Sequence, residues 1–357
     1  MTQRVFSGIA LTGPSLECRA ADVVVESGRI VAIEERTHAP ARWICPSFFN
    51  AHTHLGDTIA MDAPARGDLA SLVAPPGGLK HRLLGAASGA DCMAGMRESV
   101  GRMVRGGTGG FADFREGGVR GVGLLRDAVA GTPCRSVILG RDGGEEVADG
   151  VGIASARDVP QYRGVVERVR DTGGLVAFHA GERDAGDVDD ALDCGPDLVV
   201  HMTHATDSQL RRCADEAIPI VVCPRSNWRL GVATDTAHPP IARMIEFGCR
   251  VLFGTDNAMF VPPDMASELA FASVVYGIEP ATLLRAGIDG AAVTGCPTWL
   301  EPGAVASFFV VDPPRAGLSF SRDPVASLVR RLETGALETN IYGRYAVEKQ
   351  SARKRQI

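Results

Sequence analysis

Short apolar runs recur through the middle of the chain, near 47–51, 109–114, 135–140, 150–155, 175–180, 198–202, 218–223 and 250–255. Runs of this length, bounded by Gly, Pro or Asp, read as strands buried on both faces. Between most of them the apolar positions take up helical spacing, over 91–105, 120–130, 160–172, 207–217 and 239–247. Another such stretch, 264–276, follows the last strand. Strand alternating with helix over about 250 residues predicts a parallel α/β architecture, and eight units is the number that closes a TIM-like (β/α)8 barrel.

The two ends of the chain read differently. Val23-Val24-Val25 is followed by a Ser27-Gly28 turn and then by Ile30-Val31-Ala32-Ile33. Near the other end, ASFFVVD stops at Pro313-Pro314, and NIYGRYAV surrounds Gly343. The pattern predicts a small β-sandwich domain built from residues 1–46 together with 301–357, flanking a barrel at 47–300. The closing KQSARKRQI reads as a polar, basic, frayed tail.

Composition narrows the class. The chain has 357 residues, 45% hydrophobic and 22% charged, with a net charge of -6, which argues against a nucleic-acid footprint. No apolar run is long enough to span a bilayer, and no signal-peptide core is present. Nine scattered cysteines without a Cys-x-x-Cys point to reduced thiols and a cytoplasmic setting. The Gly-rich patches fall in loops and lack the strand–GxGxxG–helix order of a dinucleotide site. Basic residues are almost all Arg; the lysines are Lys80, Lys349 and Lys354.

Candidate chemistry collects where strands end. SFFNAHTHLGD at 47–57 holds His52 and His54, and in a strand His-x-His presents two imidazoles on one face. LVAFHAGE supplies His179 and Glu182, LVVHMTH supplies His201 and His204, and VLFGTD supplies Asp256. C-terminal strand ends of a barrel converge on one mouth. Histidines with a carboxylate form an N/O set suited to a divalent ion such as Zn²⁺, and an ion with an open position lowers the pKa of a water to about 7. Each residue also has a plainer reading: packed barrel-end histidines, or a solvated loop acid for Glu182 beside Arg183 and Asp184. His201 is preferred to His204 because the apolar run stops there. His81 is undecided between site and surface.

With these motifs, and with CPRSN at 223–227 and GTDN at 254–257, the chain resembles the amidohydrolase superfamily over essentially its whole length. Its pattern is closest to the cytosine/guanine/S-adenosylhomocysteine deaminase-like, chlorohydrolase-related branch. The resemblance implies that His52, His54, His179 and Asp256 hold one ion, Zn²⁺ in the first instance, with Fe or Mn as alternatives. It implies that Asp256 takes the proton of the attacking water, His201 orients that water, and Glu182 shuttles protons. Relatives with two ions bridge them by a carboxylated Lys or a Glu on a mid-barrel strand, and no lysine here lies on such a strand. The implied activity is hydrolytic deamination of an amino-substituted heterocycle. The alternatives are hydrolysis of a cyclic amide, N-acyl group or chlorinated ring and, remotely, a non-catalytic scaffold. The implied partner is a small molecule, and homodimers are common among such relatives.

The substrate is less legible. Relatives that act on nucleoside-like substrates often carry a His near the end of the fourth strand and an acidic residue after the first. Here no His ends the fourth strand, and the loop after His54 offers Asp57, Asp62 and Asp68 but no Glu, a departure that puts a purine nucleoside in doubt. Arginines do follow several strands, and Arg115, Arg141 and Arg225 are candidates for holding a carboxylate or phosphate, with Asn227 and Trp228 as candidate pocket walls.

Overall fold

The computed structural model describes residues 3–342 apart from 65, 74–76 and 296. The chain opens with β1 (Arg4–Thr12), β2 (Glu17–Glu26), β3 (Arg29–Glu35) and β4 (Trp43–Pro46). Ser27 and Gly28, between β2 and β3, have φ of 53° and 78°, the backbone that a tight two-residue hairpin requires.

The barrel strands follow: β5 (Phe48–His54), β6 (Thr108–Arg115), β7 (Arg135–Gly140), β8 (Gly150–Ile153), β9 (Leu175–Ala180), β10 (Leu198–His201), β11 (Ile220–Val222), β12 (Val251–Phe253) and β13 (Asp256–Asn257). They form one parallel sheet in the order β12-β11-β10-β9-β8-β7-β6-β5-β13. Only Gly254 and Thr255 separate β12 from β13. That one segment therefore pairs with β11 through Val251↔Ile220 and with β5 through Asp256↔Thr53. The sheet closes on itself as an eight-unit (β/α)8 barrel.

Alternate side chains fill the interior: Phe49, Ala51, Ala112, Phe114, Val137, Leu139, Ala177, Val200, Val221 and Leu252 form one cluster. β8 adds glycine there. A Cβ on Gly152 would fall 2.3 Å from the Phe114 ring, so the glycine is what lets that ring lie across the barrel.

Helices at Gly89–Arg105, Gly118–Val129, Tyr162–Asp171, Asp207–Asp215, Ile241–Glu246 and Met265–Val275 match the periodic stretches. Thr206 and Gln209 cap the fourth of these reciprocally. Six more helices lack a sequence counterpart: Leu69–Val73, Leu79–Ala86, Val188–Leu192, Pro224–Arg229, Pro280–Asp289 and Pro324–Arg331. Three of them begin on proline, whose fixed φ suits a first helical turn although the residue reads as a breaker in a pattern scan.

The last strands are β14 (Ser307–Val311) and β15 (Leu337–Tyr342). They join the opening strands in a second sheet, β15-β14-β4-β1-β2-β3, in which only the β1–β4 pair is parallel. Among the described residues the terminal layer is thus one six-stranded sheet, cored by Val23, Val25, Ile44, Phe308 and Val310. The helix Pro324–Arg331 leaves this sheet and packs on the barrel helices Met265–Val275 and Pro280–Asp289. Residues 343–347 and the basic tail lie outside the described residues.

Candidate active site

Irregular backbone aims the site. β5 sends Phe49 and Ala51 into the interior, then loses register with β6 between Asn50 and Thr53. Strict alternation would turn His52 to the face opposite Ala51. The irregularity brings it inward, with its ring 4.4 Å from Phe114 and 4.8 Å from His179. β10 ends on His201 at φ 73°, and β13 begins on Asp256 at φ 59°. Left-handed backbone at a residue other than glycine costs on the order of 1 kcal/mol and gathers at functional sites. Gly254 is needed for a different reason: a Cβ there would lie 2.6 Å from the Cβ of His52.

His52, His54, His179, His201, Glu182 and Asp256 meet at this barrel end. Three groups of possible ligand atoms lie within 4.8 Å of one another: His52–His179–His201, His52–His54–Asp256 and Glu182–His201–Asp256. His52 Nε2 is 3.2 Å from Asp256 Oδ1, which is 3.6 Å from His54 Nε2; His54 Nε2 is 3.3 Å from His179 Nε2. Two atoms each about 2.1 Å from one ion at a near-tetrahedral angle lie about 3.4 Å apart, so these spacings fit a single small cation.

Tautomers argue the same way. His179 Nδ1 lies 3.0 Å from the Ile153 carbonyl oxygen, and His54 Nδ1 lies 2.8 Å from Glu116 Oε1. Arg141 Nη2, 3.1 Å from His179 Nδ1, favours the other tautomer of that ring. With Nδ1 of both rings protonated, two Nε2 lone pairs face each other across 3.3 Å. A cation between them turns that repulsion into ligation.

Electrostatics keep the cluster ready for an ion. Burial lowers the pKa of His52 to about 4 and those of His54 and His179 well below the usual value, with Lys80 and Arg141 adding to the effect on the latter two. Burial acts to raise Asp256, but the hydrogen bond and charge of His52 and the nearby His201 and His54 outweigh it and hold the carboxyl well below its ordinary range. Ser226 Oγ donates to Asp256 Oδ2 at 2.5 Å. Burial raises Glu182, whose Oε2 is 3.7 Å from His201 Nε2.

The cluster opens into a cavity of about 100 Å³, whose walls include His54, Lys80, Arg141, His179, Glu182, His201 and Asp256. Of the arginines that follow strands, Arg141, Arg157 and Arg183 line it. Arg115 is buried behind the wall, paired with Asp113 and Glu116. Arg225 gives its guanidinium to the buried Glu268 and to the carbonyls of Pro262 and Asp264. Asn227 Nδ2 lies 3.4 Å from His201 Nδ1, and Trp228 donates to the Tyr276 hydroxyl. His204 lies beside His238 with its ring tilted by 42°, and His81 reaches the Val73 carbonyl beside a second cavity. Sequence reasoning missed Ser226, the burial of Lys80 and the roles of Asp57 and Glu116 as its partners. Asp57 in HLGD and Glu116 in FREGG each stand just after a strand, and that position was the available signal.

Comparison with known proteins follows this geometry. The adenosine deaminase family model matches residues 147–299, and the amidohydrolase family model matches 43–144. A protein of Methanothermobacter thermautotrophicus, provisionally named an aminohydrolase, is 32% identical, with 92% of this chain and 95% of that protein covered. Among solved structures, an adenosine deaminase from Xanthomonas campestris with bound zinc superposes with a TM-score of 0.74 at 19% identity, covering 95% of this chain and 91% of that one. Atrazine chlorohydrolase from Arthrobacter aurescens, complexed with zinc, gives 0.79 at 16% identity, covering 95% and 94%. The chain belongs to the amidohydrolase superfamily, in its deaminase- and chlorohydrolase-like branch. It is accordingly a metal-dependent hydrolase acting on C–N bonds, and among the described residues no helix is long and apolar enough to cross a membrane.

Proposed function

We propose that the chain is a hydrolytic deaminase of an amino-substituted heterocycle that works with one divalent ion, zinc first, held by His52, His54, His179 and Asp256. Such an ion lowers the pKa of a water it binds to about 7. In this reading Asp256 accepts the proton of the attacking water and His201 holds that water against an sp² ring carbon. The new C–O bond forms as Glu182 gives its proton to the ring nitrogen. The proton of the new hydroxyl passes through Glu182 to the departing amine, the C–N bond breaks to release ammonia, and the proton held by Asp256 recharges Glu182.

The observation that supports deamination over chloride displacement is Glu182. It is a carboxyl on the cavity wall beside His201, and burial raises its pKa toward the protonated form. An amine must be protonated to leave, whereas chloride leaves without a proton, so a poised acid suits the former. Hydrolysis of a cyclic amide or N-acyl group would use the same acid and is the second reading. Arg141, on the same wall, suits a substrate that also carries a carboxylate or phosphate. A cytoplasmic setting and a homodimer complete the proposal, the former in keeping with the free state of every described cysteine.

The test is ammonia release by the zinc-loaded protein from aminopurines, aminopyrimidines, pterins and their phosphorylated forms, with Asp256→Asn as the blank. Ammonia from one compound, absent in the blank, is the expected result; none from any compound would move the assignment to amide hydrolysis. Arg141→Ala should raise KM for a phosphorylated substrate, and an unchanged KM would remove the anionic group from the proposal.

A further inference from the structure

Lys80 stands out once the ion pairs around the site are followed. It lies on the helix Leu79–Ala86, in the long excursion between β5 and β6, yet its side chain is buried and reaches the cavity wall. Its Nζ is 2.9 Å from Asp57 Oδ2 and 2.7 Å from Glu116 Oε1. That same Oε1 faces His54 Nδ1 at 2.8 Å, while Arg115 Nη2 holds the other carboxylate oxygen at 2.7 Å. Arg141 Nη1 stands further off, 3.4 Å from Oε1. Among the described residues Asp57 has no hydrogen-bond partner beyond its ion pair with Lys80.

This arrangement is asymmetric. Arg115 fixes one oxygen of Glu116 from behind, and Lys80 is the nearest cation to the oxygen that meets His54. A carboxylate on the far nitrogen of a ligating imidazole fixes its tautomer and ring orientation and raises its basicity. The carboxylate can do this only if something fixes the carboxylate.

We propose that Lys80 is a positioning residue for the metal site: it acts through Glu116 on His54, so that docking of the helix Leu79–Ala86 and the affinity of the site for its ion are one event. The proposal rests on the metal-site reading above. Lysine suits the place because a compact point charge can meet Asp57 and Glu116 together.

The experiment measures Zn²⁺ affinity by chelator competition, with no substrate present, in the wild-type chain, Lys80→Met, Glu116→Gln and the double variant. The Co²⁺-loaded absorption spectrum serves as a second readout of the ligand field. Lys80→Met is expected to weaken Zn²⁺ binding by about 10–100-fold and to shift the Co²⁺ bands, the range typical of lost outer partners. The double variant should be scarcely weaker than Glu116→Gln, because both changes cut one path. Wild-type affinity in a folded Lys80→Met, or losses that multiply in the double variant, would overturn the proposal and leave the functional reading intact. A wild-type chain that binds no Zn²⁺ would overturn both. If the unpaired Asp57 prevents Lys80→Met from folding, Asp57→Asn/Lys80→Met removes both charges of that pair and should show the same loss.

Discussion

Two buried polar clusters share the mouth of the barrel, and they are built on opposite rules. In one, ring nitrogens and a carboxylate oxygen face one another at 3.2–3.6 Å, and Arg141 Nη2 meets the outer Nδ1 of His179 at 3.1 Å. In the other, the three carboxylates of Asp57, Asp113 and Glu116 share two close cations, Lys80 and Arg115, with Arg141 Nη1 3.4 Å from Glu116. Buried charge is tolerated only when paired, and a buried cluster of lone pairs is tolerated only if a cation completes it. In the proposed reading the first cluster is the place for chemistry, and the second is the frame that orients it. Glu116 belongs to both, through its contacts with His54 and Lys80.

The largest effect should come from touching the first cluster without emptying it. Glu182→Gln keeps shape and hydrogen bonding but cannot carry a proton, and kcat should fall by about 10²–10⁴-fold with the metal content unchanged. A variant that keeps its kcat would remove Glu182 from the acid role. The same end of the barrel offers a contrasting charge, Arg225, whose Nε lies 2.5 Å from Oε2 of the fully buried Glu268. Arg225→Met should cost about 3–5 kcal/mol of stability, because it strands a buried carboxylate. KM should stay put, since that guanidinium does not line the cavity. Denaturant unfolding against kinetics separates these outcomes; a raised KM with normal stability would return Arg225 to substrate binding.

The barrel was legible because strands buried on both faces read as unbroken apolar runs, and β7 and β9 begin and end where their runs do. The histidines were legible because they sit where those runs stop. What the pattern hid is instructive. Pro224, Pro280 and Pro324 read as breaks but start helices. Arg115, Arg141 and Arg225 look alike in sequence, each within two residues of the end of an apolar run, yet one is walled in, one lines the cavity and one is locked to Glu268. The partner of an arginine lies wherever the fold brings an acid, and neither Asp57 nor Glu268 is near its cation in sequence. Lys80 was hidden for the same reason: nothing in GGLKH announces a buried ammonium.

The comparison can be sharpened by acid, with a small expected effect. Protons compete with a metal for imidazole only where the imidazole titrates. An ordinary histidine, with a pKa of about 6.5, is roughly nine-tenths protonated at pH 5.5 and would give up about tenfold in affinity for each ligand. Here burial has already moved His52 to about 4 and has lowered His54 and His179 as well. The sign follows: a lowered pKa means the charged, non-ligating form enters only at lower pH, so His52 remains neutral through pH 5.5. Zn²⁺ affinity of the folded chain, measured by calorimetry at pH 7.0 and 5.5 with buffer protonation subtracted, should therefore change by little more than about twofold. A drop of a hundredfold or more would mean that these imidazoles titrate in the ordinary range. The cluster would then be open to water in solution, and the contrast with the ion-paired frame beside it would disappear.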